Sequence, residues 1–290
     1  MKKGLGIYIR NCIFLVFTAI ITIMVISKTG AYPWGSDSYG HLFKGNMLYE
    51  AMKSGKLFIN YDESWYNGIQ PFRYWAPFSY YMLAIINLFT NNIFWTYNVF
   101  VFLIFVIGGS GWLCWGYQLE RPNIGLVFAM LWFFIPNNLR VLFSEGNLPF
   151  ALINALLPFV FLFFYKSLTE KRIGNLIALA FIMFLLTLTH AMLTAMIGVS
   201  LFLFSVVYGV VNKSYKENFI SLVYAFMGIM CASFWLYPAL KGGILSIDSE
   251  AVANVMKDLT YPIKNSINPF LRLHNIEAYY YGLAFAFTAL

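Results

Sequence analysis

The segment from Gly35 to Lys44 carries three side chains whose types and spacing can support chemistry. It reads G-S-D-S-Y-G-H-L-F-K, so that His41 follows Asp37 by four positions and Lys44 follows His41 by three. On an α-helix, side chains at these spacings lie along one face. The pattern therefore predicts a polar site that combines a carboxylate, an imidazole and an ammonium group.

The same segment also has a simpler interpretation as an ordinary helix start. Ser36 is predicted to cap a helix that runs from Asp37 to about Lys53 and is ended by Gly55. Asp37 would then only favour the positive amino terminus of the helix, while the imidazole and the ammonium group would be solvated. Spacing alone leaves both interpretations open.

Two further ionisable residues lie at breaks between apolar runs. Glu145 belongs to the turn S-E-G-N-L-P and is either a second carboxylate of the site or an ordinary loop acid. His190 is the only His, Lys, Arg, Asp or Glu in the apolar stretch from Leu176 to Val211, and ionisable residues inside a membrane are candidate functional residues. It can equally mark a hairpin turn, with its imidazole paired to Thr187 or Thr194.

Cations and aromatic residues accompany these candidates in the sequence. Lys44, Arg73 and Arg140 are predicted either to bind a phosphate group or to anchor the chain at lipid headgroups. Trp and Tyr side chains can stack on sugar rings, but they are also common at membrane interfaces. Four aromatic residues have both interpretations: Trp65, Tyr66, Tyr74 and Trp75.

The composition places these residues in a membrane protein. The 290 residues are 60% hydrophobic and 11% charged, whereas soluble domains are about 45–50% apolar and about 25% charged. Every Lys, Arg, Asp and Glu lies between apolar runs or at their edges. A water-soluble fold is therefore excluded. The net charge of +7 is explained by basic loops beside membrane spans rather than by nucleic-acid binding.

The apolar runs predict an all-α fold, a polytopic transmembrane helix bundle of about eight to nine spans or near-spans of roughly 17–25 residues. Pro77 to Phe89 is short and is predicted to be an interfacial or re-entrant helix. The chain is predicted to form one transmembrane domain, 1–290, truncated at its carboxyl terminus, with amphipathic helices in a first outer loop at 30–75 and a second large outer loop at 241–275. The other runs are Asn11 to Ser27, Phe94 to Tyr117, Ile124 to Phe143, Leu148 to Tyr165, Leu176 to Leu188, Ala191 to Val211, Phe219 to Leu240 and Ile276 to Leu290.

The basic loops predict the orientation in the cell membrane. Short loops rich in Lys and Arg stay in the cytoplasm, and three segments qualify: the amino terminus, Lys166 to Arg172 and Lys213 to Lys216. The amino terminus is therefore predicted to be cytoplasmic, and the candidate residues then share the outer face. If Pro77 to Phe89 crosses the membrane instead, Glu145 faces the cytoplasm and the basic-loop pattern is violated.

Several motifs together resemble the start of the GT-C superfamily, whose members are multispanning glycosyltransferases that use polyprenyl-phosphate sugars. They are a first span followed by G-S-D-S-Y-G-H-L-F-K at Gly35 to Lys44 and P-F-R-Y-W-A-P-F-S-Y-Y at Pro71 to Tyr81. The chain also resembles bacterial membrane proteins with a GT-C-like start that are called 6-pyruvoyl-tetrahydropterin synthase-related. The motifs S-E-G-N-L-P at Ser144 to Pro149 and W-L-Y-P at Trp235 to Pro238 fit that group.

The name of that second group does not imply a pterin activity. The soluble synthase that it evokes binds zinc through three histidines in a small α/β fold. The three histidines of this chain, His41, His190 and His274, lack clustered spacing. No nucleotide-binding glycine motif, Walker motif or zinc-protease motif is present in the sequence.

The GT-C resemblance implies roles for the candidate residues. By position, Asp37 matches the acidic residue of the first outer loop that acts at the acceptor or at a metal ion, and a carboxylate there can take the proton of the acceptor hydroxyl. Glu145 would be a second catalytic carboxylate. No metal site built from side chains is predicted, although a divalent cation, Mg²⁺ or Mn²⁺, would help a phosphate to leave. The expected substrate-binding residues are His41, Lys44, Arg73 and His190.

The expected function is transfer of a sugar from a polyprenyl phosphate to an acceptor of the cell envelope on the outer face. Membrane lipids and the lipid-linked sugar are the expected partners, without nucleic acid. Two alternatives stay open. A transporter or flippase of a lipid-linked substrate would have charged or broken helices near the membrane midplane, and only His190 points to one. A non-catalytic membrane scaffold would keep the fold without the reaction.

Overall fold

The computed structural model of the chain describes residues 2–28, 30, 35–65 and 68–241. The chain divides into two compact units, Met1–Ala239 and Leu240–Leu290, and the architecture that follows is that of the first. Apart from Lys241, the outer loop predicted at 241–275 and the run predicted from Ile276 to Leu290 lie outside the described residues.

Helices form nearly all of the described chain, which confirms the predicted all-α class. Within the described ranges no strand occurs, and pairing of the β type is limited to an isolated antiparallel bridge between Asp62 and Ile69. A π-helical turn, Arg140–Glu145, follows α7. The helices are α1 (Lys2–Ser27), α2 (Ser38–Lys53), α3 (Pro71–Tyr74), α4 (Phe78–Thr90), α5 (Ile93–Gln118), α6 (Pro122–Phe134), α7 (Pro136–Leu139), α8 (Leu148–Thr169), α9 (Ile173–Thr187), α10 (Ala191–Asn212), α11 (Tyr215–Cys231) and α12 (Ser233–Ala239).

Eight apolar elements of the described chain correspond to the predicted runs. By length and composition, α1, α5, α8 and α10 can each cross a membrane. Two further runs are bent: α6 meets α7 and the π-helical turn at 44°, and α11 meets α12 at 68°. The shorter apolar helices are α4 and α9. The first unit is therefore a polytopic bundle in which two of the predicted spans are broken.

Local sequence explains where the helices begin and end. The side chains of Asn92 and Asn147 accept hydrogen bonds from backbone N–H groups in the first turns of α5 and α8. Gly55 adopts φ +79° after α2, and its N–H donates to the carbonyl of Met52 while that of Lys56 donates to Ala51. This Schellman arrangement confirms the predicted end of the helix at Gly55.

The three basic loops and the α5–α6 turn meet at one end of the bundle, which we call the basic end (residues 2–11, 117–123, 166–172 and 213–217). Because the loops carry opposite charges and amides as well as cations, they bind one another directly. The contacts are Arg10 to Asn123 at 2.7 Å, Gln118 to Glu170 at 3.2 Å and Lys171 to Glu217 at 2.7 Å. The loops that the charge pattern assigned to one side thus share one side.

The opposite end, which we call the site end (residues 35–41, 144–148 and 188–190), gathers the candidate residues. The N–H of Ser36 donates to the carbonyl of Ser144 at 3.2 Å, and the N–H of Phe78 donates to that of Leu188 at 2.8 Å. The start of α2 therefore lies beside the π-helical turn, and the start of α4 lies beside the α9–α10 turn. A contact between His41 and Tyr80 joins the two helix starts.

Helix α4 lies beside α2 instead of extending to the basic end. The two helices run parallel, with contacts from His41 to Tyr80 near their starts and from Tyr49 to Asn91 near their ends. Helix α5 begins directly after α4, and its 26 residues extend about 39 Å to the basic end. The structure thus gives α4 as one of the shorter apolar helices, packed along α2, and its interfacial or re-entrant placement stays a prediction.

Apolar side chains cover the outside of the bundle as well as its core. Ile13 and Phe17 on α1 and Val199 and Phe202 on α10 are among the exposed large hydrophobic residues. Broad exposure of such residues is unfavourable in water and is expected where helices face lipid. The fold therefore has the surface of a membrane protein.

Candidate functional site

The start of α2 packs directly on the turn that contains Glu145. The N–H of Asp37 donates to the carbonyl of Glu145 at 2.8 Å. Two glycines allow this approach: a Cβ on Gly35 would lie 2.5 Å from the amide nitrogen of Gly146, and a Cβ on Gly146 would lie 2.7 Å from that of Ser38. Gly146 also adopts φ +68°, a conformation that other residues rarely take.

Asp37 occupies the N-cap position of α2, and its side chain is exposed. The prediction that Ser36 caps this helix is wrong. The Ser36 hydroxyl donates instead to the carbonyl of Glu145 at 3.0 Å and lies 3.3 Å from Oδ1 of Asp37. The helix begins one residue later than predicted, and the Asp37 carboxylate makes no capping bond to it. This carboxylate is therefore available to a ligand.

Glu145 accepts a hydrogen bond from Asp37 through its backbone carbonyl, and its carboxylate pairs with Arg140. The Arg140 guanidinium donates to the Glu145 carboxylate through Nη1 and to Oδ1 of Asn137 through Nη2 at 2.9 Å. An ion pair between the two ends of the π-helical turn stabilises its shape. The structure thus places Glu145 next to Asp37, and the catalytic role assigned to its carboxylate stays a prediction.

His41 is buried against Tyr80. The two side chains are 7% and 1% exposed, and Nδ1 of His41 lies 2.9 Å from the Tyr80 hydroxyl. Burial, together with the charges of Lys44 and His190, lowers the pKa of His41 from 6.5 to about 3. The imidazole is therefore neutral at physiological pH.

Lys44 is enclosed by aromatic rings. Its side chain is 3% exposed, and Nζ lies 4.1 Å from the ring centre of Trp75 and 4.4 Å from that of Trp65. Nζ also donates to the carbonyl of Gly40 at 3.1 Å. Burial lowers the pKa of Lys44 to about 8, and the charge of Asp37 acts in the opposite direction. The site thus holds a desolvated cation within electrostatic range of the exposed carboxylate.

His190 lies at the turn between α9 and α10, where the hairpin interpretation placed it. Its Nδ1 accepts a hydrogen bond from the N–H of Leu193 at 3.5 Å, so it caps α10. The pairing with a threonine that this interpretation allowed is not among the contacts of the described residues, where Thr187 donates to the carbonyl of Met183 and Thr194 to the carbonyl of His190. The α9–α10 turn borders the site because the carbonyl of Leu188 accepts from the N–H of Phe78 at 2.8 Å, at the start of the helix that carries Tyr80.

Arg73 lies on the short helix α3 and is exposed. It donates to Oε1 of Gln70 at 3.2 Å, and the indole N–H of Trp235 donates to the neighbouring carbonyl of Phe72 at 2.7 Å. The motif W-L-Y-P therefore holds α3 in place. Of the aromatic candidates, Trp65 and Trp75 stack on each other around Lys44, and Tyr66 lies outside the described residues.

The described residues contain no cluster of side chains that could bind a divalent cation. No group of three or more His, Cys, Asp or Glu side chains there is placed to hold a metal ion. The carboxylate of Glu145 is already bound by Arg140. The described residues therefore do not form a site for a resident metal. Involvement of Mg²⁺ or Mn²⁺ stays a prediction, and the proposed reaction does not depend on it.

Tyr80 is the component of the site that sequence reasoning did not identify. Its motif was recognised, but a tyrosine in an apolar segment of a membrane protein is typical of an interface. The signal was its position on α4, which places it opposite His41 only because α2 and α4 run parallel. That pairing is a property of tertiary packing.

The lowered pKa of His41 predicts that the protein loses stability in mild acid. Unfolded His41 takes up a proton below pH 6.5, whereas the folded imidazole stays neutral to about pH 3, so stability is present above pH 6.5 and falls as pH decreases through this window. Between about pH 7.5 and about pH 5.5, protonation of His41 in the unfolded chain should lower the free energy of unfolding by about 1.4 kcal/mol. Thermal unfolding in detergent at both pH values measures it. The prediction fails if His41→Gln shows the same pH dependence as the unmodified protein.

Fold and site together define a class: a polytopic helical membrane protein with a polar site at one end of its bundle. Residues 72–290 match the family model described as the 6-pyruvoyl-tetrahydropterin synthase related domain, a membrane protein. The chain belongs to this family of membrane proteins. The match begins after the segment that carries Asp37 and Lys44. No curated protein and no solved structure matches the chain.

Proposed function

We propose that the protein is a GT-C-like glycosyltransferase that moves a sugar from a polyprenyl phosphate to an acceptor of the cell envelope. The observation that carries the proposal is an exposed carboxylate, Asp37, at the start of α2, within electrostatic range of the buried cation of Lys44 on the same helix. In transfer from a lipid phosphate, a base can take the proton of the acceptor hydroxyl and a cation can stabilise the leaving phosphate.

The proposed reaction is a displacement at the anomeric carbon. The Asp37 carboxylate accepts the proton of the acceptor hydroxyl while the hydroxyl oxygen forms a bond to the anomeric carbon. The bond between that carbon and the phosphate oxygen breaks, and the phosphate leaves with the electron pair as an anion. It needs no proton donor to leave, but it gains from a nearby positive charge.

Lys44 can supply the positive charge that stabilises the leaving phosphate, because its ammonium group is shielded from water. In a desolvated site an ammonium group interacts with an anion more strongly than it does in bulk water. The stacked rings of Trp65 and Trp75 and the carbonyl of Gly40 fix the position of Nζ, which reduces the reorganisation needed when charge develops. We assign Arg73 and His190 to substrate binding at the border of the site, and the Glu145–Arg140 pair to holding the turn beneath Asp37.

The test is a transfer assay with the purified protein in lipid. Polyprenyl-phosphate sugars with a radiolabelled sugar are supplied together with cell-envelope fractions as acceptor. Label is expected to move to the envelope fraction, and release of free sugar in the absence of acceptor is expected to be slow. Movement of the intact lipid-linked sugar across the bilayer without transfer would replace the proposal by the transporter alternative.

The orientation belongs to the same proposal, with the amino terminus in the cytoplasm and the site end outside. Single cysteines are introduced at Glu63 and at Lys216, both exposed, after the three native cysteines are replaced. A maleimide that does not cross membranes should label position 63 in intact cells and position 216 only after permeabilisation. The reverse pattern would refute the outward-facing site.

A further inference from the structure

His41 presents a buried polar atom that is left without a partner. Among the described residues Nε2 accepts or donates no hydrogen bond, although the side chain is only 7% exposed. A buried polar atom without a partner is unfavourable, because it has lost its hydrogen bonds to water and gained none in the protein. Such a cost at a site that already contains a base and a caged cation points to a ligand that supplies the missing partner.

The contact with Tyr80 determines what Nε2 can do. If Nδ1 donated to the Tyr80 oxygen, the buried hydroxyl proton and Nε2 would both lack partners. If the hydroxyl donates to Nδ1, as the 2.9 Å distance allows, only Nε2 lacks one. The second arrangement is favoured because it leaves fewer buried groups unsatisfied. It places the proton of the neutral imidazole on Nε2.

We infer that His41 is a neutral hydrogen-bond donor to a phosphate oxygen of the ligand, and that Tyr80 is the positioning residue that holds His41 in the required tautomer. An oxyanion is favoured over a neutral acceptor because the Lys44 ammonium lies within electrostatic range of the same imidazole. A neutral donor suits this place, since a second cation beside Lys44 would be repelled. The inference rests on the proposed function in taking that phosphate to be the one of the lipid-linked sugar.

Nitrogen NMR of the histidine rings tests this directly. The chain has three histidines, so ¹⁵N-histidine labelling of the full chain in nanodiscs gives few signals, and His41→Gln identifies those of His41. At neutral pH the His41 signals should be those of an imidazole protonated on Nε2 alone. A protonated ring, or a proton on Nδ1, would overturn the inference.

The same NMR signals are then measured after addition of undecaprenyl phosphate, undecaprenol or inorganic phosphate. Undecaprenyl phosphate should shift the His41 Nε2 signal, while undecaprenol should leave it unchanged. A shift with inorganic phosphate at similar concentration would assign the site to free phosphate, and a shift that requires the lipid would assign it to the lipid phosphate. Either supports an oxyanion site, and no shift with either phosphate overturns it.

Two tyrosine variants on α4 test whether Tyr80 positions the His41 ring or only contributes to the stability of the fold. Tyr80→Phe should weaken undecaprenyl phosphate binding about 10-fold and give mixed His41 tautomers, because one hydrogen bond of about 1–1.5 kcal/mol no longer selects the Nε2 proton. Tyr81→Phe removes the neighbouring hydroxyl, which donates to the carbonyl of Leu57, and should change neither. Equal effects of the two variants would overturn the role of Tyr80.

If the His41 shift appears but no sugar is transferred, the oxyanion site stands and the glycosyltransferase proposal fails.

Discussion

Replacing Asp37 with Asn is expected to lower the rate of sugar transfer by about 10²–10⁴-fold. The amide cannot accept the proton of the acceptor hydroxyl, whereas its size and shape match those of the carboxylate. Insertion and thermal stability should change little, because the Asp37 side chain is exposed and makes no capping bond to α2. Initial rates of labelled sugar transfer measure the effect, with thermal unfolding measured on the same preparations.

The matched control for Asp37→Asn is Glu50→Gln. Glu50 is also an exposed acid of α2, and it pairs only loosely with Lys53 at 3.9 Å. Surface pairs of this kind contribute little, so Glu50→Gln should keep full transfer activity. Transfer that persists in Asp37→Asn would remove the proposed base, and equal losses in both variants would point to a general effect of charge on α2.

Replacing Gly146 with Ala is expected to have the largest effect on stability. The new Cβ would clash with the Ser38 hydroxyl and lie 2.9 Å from Cα of Gly35, and the backbone would remain at φ +68°. Backbone strain and overpacking together should cost roughly 2–5 kcal/mol of the free energy of unfolding. Because the start of α2 must move away from the turn, Asp37 is displaced and transfer should fall as well. Thermal unfolding in detergent and the transfer assay measure the two effects.

Gly198→Ala is the corresponding control. A Cβ on Gly198, within α10, meets nothing within 4 Å, and alanine favours a helix over glycine by about 1 kcal/mol. This variant should be as stable as the unmodified protein or slightly more stable, with unchanged transfer. If Gly146→Ala were as stable as Gly198→Ala, the close contact between α2 and the turn would not hold in solution.

Much of the fold was predictable because it depends on composition and local sequence. Apolar runs of sufficient length must be helical in lipid, since every backbone polar group needs an internal partner there. The end of α2 at Gly55 follows from a residue that accepts positive φ. The broken runs were harder to predict. Ile135 separates α6 from α7, which begins at Pro136, and Ala232 separates α11 from α12. In the sequence these bends appear only as small interruptions of apolar segments.

The candidate site was predictable in part. Asp37, His41 and Lys44 were identified from helical spacing. In the structure the charge of Lys44 lies within electrostatic range of both Asp37 and His41. Their environments were not predictable. Burial of Lys44 follows from where Trp65 and Trp75 pack, and in the sequence these two tryptophans were equally compatible with an ordinary membrane interface.

The sequence by itself determined the membrane class, the helices and the basic loops, because hydrophobicity and charge act on each segment independently of its neighbours. The tertiary structure decided which polar groups meet. Tyr80 reaches His41 across 39 positions, and Asp37 binds the backbone of Glu145 across 108. Such contacts depend on how parallel and antiparallel helices pack and on two glycines that let backbones touch, and no local pattern encodes that geometry.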